Sequence, residues 1–145
     1  MPSPVRPDRA TAPEISPLAE RFAAVRDLTL ALAAPLSDAD ATVQSMADAS
    51  PTKWHMAHTT WFFETFVLRD HVVGYALHDE RFPFLFNSYY EAEGRRHARA
   101  RRGMVTRPSL DEVRAYRAHV DAALIDALPT LSEDAQALVA LGCHH

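Results

Sequence analysis

Apolar residues recur three and four apart along four separate stretches of the chain, and each stretch is bracketed by residues that start or stop helices. The first opens at Ser16-Pro17 and carries Leu18, Phe22, Val25, Thr29 and Leu32 at helical spacing, with Glu20, Arg21, Arg26 and Asp27 largely off that line. Pro35 closes it, so the pattern predicts a helix over 16–34. From Leu36 to Ala49 the pattern is weak, and only a short helical turn after Ser37 is expected. The second stretch runs from Ser50 to about Asp70–Val73, before Gly74. Ser50 reads as its N-cap and Pro51 as its first helical residue. Trp54, His58, Trp61, Phe62, Thr65 and Leu68 then share one face.

Residues 75–108 show no helical period. Arg81 to Tyr90 is aromatic, and Gly94 to Gly103 carries Arg95, Arg96, Arg99, Arg101 and Arg102. A connection of this length inside a compact domain is more often functional than a mere spacer. The short apolar run Phe82–Phe86 has no partner segment with which to form a strand. Ser109 with Glu112 forms a capping box that starts a helix whose apolar face is Val113, Tyr116, Val120, Ala123, Leu124 and Ala127. Ser132-Glu133-Asp134 opens the last helix, with an inward stripe of Leu138, Leu141, Gly142 and His145. Four amphipathic helices without a credible strand predict an all-α, antiparallel four-helix bundle over 16–145. Residues 1–15, rich in proline, read as a disordered tail.

Composition narrows the class. The chain has 145 residues, 48% of them hydrophobic and 23% charged, which suits one globular domain. Its net charge of −4 argues against a general nucleic-acid binder. Cys143 is the one cysteine, so no internal disulfide forms, which fits a reducing cytoplasm. No apolar run reaches the roughly 20 residues that span a bilayer, and the N-terminus has no signal-like apolar core.

The chemistry-bearing residues are histidines. His58 sits among aromatic rings on the second helix, and His145 ends the stripe of the last one. Two histidines on different helices of a bundle are how a metal site is assembled in a bundle core. Imidazole suits zinc, iron, copper or nickel alike. Three protein ligands leave an open position, and the third is open between His55, His144 and a group outside the chain. His144 points about 100° from His145. The last helix ends on Leu-Gly-Cys-His-His without a C-cap, so the sequence reads as cut short within a longer helix. A plainer reading makes each histidine a hydrogen-bonded core residue. The arginine run likewise reads either as a solvated loop or as an anchor for substrate carboxylates.

From Trp54-His55-Met56-Ala57-His58 through Trp61-Phe62-Phe63-Glu64-Thr65-Phe66 the sequence resembles the N-terminal DinB-like domain of ergothioneine-biosynthesis sulfoxide synthases, the EgtB family. The similarity continues at Phe84-Leu85-Phe86-Asn87-Ser88-Tyr89-Tyr90-Glu91, at Arg102-Gly103, at Arg107-Pro108-Ser109, at Tyr116–Asp121 and at Leu141–His145. The resemblance implies a DinB-type bundle with non-haem Fe(II) as cofactor. It also implies an oxidoreductase that joins hercynine to cysteine or γ-glutamylcysteine with dioxygen to give a sulfoxide. Its iron ligands match His58 and His145, with a third histidine four residues further on. The family's C-terminal domain, of the formylglycine-generating-enzyme type, has no counterpart in these residues. The expectation is therefore an iron-binding domain that is inactive alone, with no catalytic residue of its own and with the substrate-binding residues unassigned. Two rivals stand beside it: a stand-alone DinB-like thiol transferase, and a non-catalytic helical binding module.

Overall fold

The computed structural model describes residues 15–145, so the expected tail lies almost wholly outside the described residues. Among them there is no β-strand. Six α-helices follow in order: α1 (Pro17–Ala33), α2 (Asp38–Thr42), α3 (Thr52–Phe63), α4 (Phe82–Phe86), α5 (Leu110–Ala127) and α6 (Glu133–His144). A π-helical turn, Glu64–Arg69, extends α3 toward Gly74.

The helices begin where side chains cap them. Ser16 accepts from the Ala19 amide and precedes Pro17. Ser109 and Glu112 form a reciprocal capping box, and Ser132 caps α6. At α3 the expectation fails. Pro51 itself occupies the cap position and no side chain caps the helix, while the Ser50 hydroxyl accepts from Arg102 instead.

Direction follows from pairing. Phe22 packs edge-on against Phe63 and Arg26 reaches Thr60, so α1 and α3 run oppositely. Gly142 abuts Phe63 while His145 reaches back to His58, so α6 also opposes α3. By contrast α3 and α5 run the same way, with Tyr116 beside Glu64, and Ala123 and Ala127 lining one cavity with Leu68. The long connection 70–109 carries the chain back to the end from which α3 started, as crossover bundles require.

Trp54, Trp61, Phe62, Phe63, Val67 and Leu68 of the second stretch are all buried, together with Val113, Tyr116, Val120 and Leu124 of α5. Two stripes differ from expectation. On α1, Leu32 is exposed and Arg26 is buried. On α6, Leu141 is exposed while Ala135 and Val139 face inward. Arg26 turns in because Asp121 and Thr60 meet its guanidinium at 2.8 and 2.6 Å, so the interior supplies the partners a buried charge requires. Arg117 lies beside it, donating to the Met56 and Arg26 carbonyls.

Glu64, fully buried at the start of the π turn, is a second polar knot. Its carboxylate accepts from the Tyr116 hydroxyl at 2.5 Å, the Tyr75 hydroxyl at 2.8 Å and the His78 amide at 2.7 Å. These bonds tie the segment after α3 to α5.

Candidate metal centre

The paired histidines meet at one end of the bundle. His58 lies within α3 on its inward face, and His145 follows α6 directly. Their Nε2 atoms are 2.8 Å apart. The Nδ1 of His58 lies 2.6 Å from the Phe86 carbonyl oxygen, at the end of α4. A carbonyl only accepts, so Nδ1 carries the proton and the neutral ring presents an Nε2 lone pair toward His145. Such an Nδ1–H to carbonyl bond is the usual outer support of a metal-ligating histidine.

Aromatic rings hold both imidazoles in place. Trp54 stacks on His58 with centroids 4.6 Å apart and planes 12° from parallel, and Trp61 lies 5.6 Å away at 19°. Phe62 stacks on His145 at 5.0 Å. Burial is the main reason that His58 is pushed down to about 4, and His145 and Arg102 act in the same direction against the Phe86 carbonyl. His145 is also lowered by burial, although its ring is more open to solvent. Both therefore stand as neutral imidazoles near pH 7, the form that binds metal.

Helix α6 approaches this closely because residue 142 is glycine. A Cβ there would fall 2.4 Å from Phe63 Cε1 and 3.0 Å from Phe62 Cδ1. A side chain at 142 would push α6 off α3 and carry His145 with it.

The other candidates do not converge. His144 turns to α1, where its Nε2 accepts from Arg21 at 2.6 Å. His55 is exposed and meets Trp54 edge-on. Among the described residues no three His, Cys, Asp or Glu side chains come together in a way that would hold an ion. Cys143 is half-buried with its thiol pushed up by burial. The donor set does fit half of a metal site. Two imidazole nitrogens bound at roughly 2.0–2.1 Å to one ion would lie about 3 Å apart, close to the separation found.

Sequence reasoning missed the α4 carbonyls. Trp54 donates its indole N–H to Leu85 at 2.9 Å, one residue before the carbonyl that holds His58. Asn87, fully buried, closes this turn by exchanging bonds with the Tyr90 backbone. The signal was present in the Phe84-Leu85-Phe86-Asn87 run, but a five-residue helix has too little period to announce itself.

No helix of the described residues is long and apolar enough to cross a membrane. No curated protein matches the chain. The family model of the DinB superfamily matches residues 8–140, a span that includes His58 but not His145. With that match over most of its length, and with an all-helical fold to go with it, the chain belongs to the DinB superfamily.

Proposed function

We propose that this DinB-like domain holds a ferrous ion through His58 and His145, as part of an enzyme that joins hercynine to a cysteine-containing thiol. The observation that carries the reading is the facing pair of Nε2 atoms, with the Phe86 carbonyl fixing the proton of His58 on the far nitrogen. Bound iron would supply the redox chemistry for forming a carbon–sulfur bond and a sulfoxide with dioxygen. What the chain's own residues do is narrower. They present two neutral imidazoles, pack Trp54, Trp61 and Phe62 against those rings, and prevent His58 from turning. Two imidazoles make an incomplete set, so the 145-residue chain is expected to bind Fe(II) without turning over hercynine and thiol.

Anaerobic Fe(II) titration followed by thermal melting tests this. A ligand that binds only the folded state raises the melting temperature according to its affinity and concentration. The wild-type melt is expected to rise with Fe(II), and His58→Ala and His145→Ala are each expected to abolish the rise. A wild-type melt indifferent to Fe(II) would leave both residues as structural histidines and overturn the reading.

A further inference from the structure

One member of the arginine run differs from the others. Arg95, Arg96, Arg101 and Arg107 are exposed, and Arg99 bonds the Tyr89 hydroxyl at the surface. Arg102 is 3% exposed. It takes part in none of the ion pairs among the described residues. Its terminal nitrogens donate to Ser50 Oγ at 2.8 Å and Ser88 Oγ at 3.4 Å, and its Nε has no acceptor among the described residues. Its Cζ lies 3.5 Å from the Trp54 ring centroid.

A buried guanidinium without an anion is costly, and the face of an indole offsets part of that cost. The neighbouring crevice, lined by Pro51, Lys53, Trp54, Phe86 and Val105, holds about 10 Å³. That is barely room for a water molecule and too little for a carboxylate. The segment carrying Arg102 is itself pinned. The Gly103 amide donates to Gln44 Oε1 at 2.8 Å, and Gln44 donates to the Arg99 carbonyl. Gly103 is required for this approach, since a Cβ there would lie 2.5 Å from Gln44 Cβ.

The contacts therefore form a line. Arg102 presses on Trp54, Trp54 is held by the Leu85 carbonyl and stacks on His58, and His58 is held by the Phe86 carbonyl. We propose that Arg102 is a positioning residue: through Trp54 it fixes the plane of the His58 imidazole and hence the direction of its Nε2 lone pair. The metal consequence rests on the function proposed above, but the ring placement does not.

The test has two readouts on the same variants. In metal-free protein, the stacked indole shields the His58 ring protons, which are read by NMR on histidine-labelled chain. In Arg102→Ala these resonances are expected to move toward those of the exposed histidines. Anaerobic Fe(II) affinity is expected to fall about tenfold, the usual scale for losing an outer support. Arg102→Lys keeps the charge without the plane and should recover only part of either effect. In a Trp54→Phe background, Arg102→Ala should cost less affinity than in the wild type, because the two act in series. If Arg102→Ala fails to fold, Arg102→Gln keeps a planar group that can reach the serines and takes its place. Unchanged His58 resonances in a folded Arg102 variant overturn the inference, whatever happens to its melting temperature. If the wild type binds no Fe(II) while the resonances move as expected, the metal reading fails and the positioning role stands.

Discussion

Gly142 and His58 make separate demands on the same few ångströms. The Gly142→Ala side chain would need the space of the Phe63 ring edge, and over-packing of this kind costs roughly 1–3 kcal/mol. Because His145 lies three residues beyond, this variant should also weaken Fe(II) binding. Chemical denaturation beside an iron titration checks both effects, and an unchanged affinity would show that α6 adjusts without moving its end. His58 makes a prediction about pH. Its unfolded value is near 6.5 and burial holds the folded one at about 4. Between these values the unfolded chain binds more protons, so metal-free stability should fall as pH drops from 6.5 toward 4 and level off above 6.5. His58→Gln should flatten that part of the profile in urea melts taken at stepped pH; an identical slope would contradict the burial account. At this scale both histidines of the facing pair were legible in the sequence, because a histidine on an apolar stripe stands out. Arg102 and Arg26 were not legible. A buried arginine is recognisable only by the serines, the indole or the aspartate that meet it, and those come from distant segments.

Among the elements, α5 and the turn after α3 carry the contacts that set the bundle. The capping box of α5 satisfies two amides that water would otherwise have to serve. Ser109→Ala should destabilise the fold by about 1 kcal/mol and leave iron binding intact, since the site lies elsewhere. Glu64 is the opposite case. Glu64→Ala strands the buried Tyr116 hydroxyl, at roughly 1–3 kcal/mol, and frees the Tyr75 and His78 contacts that hold the segment after α3. Thermal melting with hydrogen exchange over 70–80 would show both effects, and an unaltered exchange pattern would refute the tie. Helices with three or more turns announced themselves through period, and all but α3 through their caps as well. The α4 turn did not, because five residues give too short a period and its role depends on carbonyls, which no side-chain pattern reports. The cap at Ser50 was misread for a related reason: its hydroxyl accepts from Arg102, 52 residues away.

Across the whole molecule, the sequence carries the number of long helices but not their directions. The pairings Phe22–Phe63, Glu64–Tyr116 and His58–His145 show that α3 and α5 run together while α1 and α6 oppose them. That arrangement brings the end of α6 back to the first half of α3, and only there can the two imidazoles meet. The irregular connection that carries α4 and the arginine run then supplies the carbonyls that meet Trp54 and His58 and the guanidinium that lies on Trp54. On the function proposed above, His58 and His145 bind one ion together. X-ray absorption at the iron edge of the anaerobic Fe(II)-loaded chain tests this most directly, by counting imidazole ligands. The wild type is expected to show two imidazoles on iron, and His58→Ala and His145→Ala are expected to lose the imidazole scattering. Iron surrounded by oxygen ligands alone, with no imidazole scattering, would contradict it.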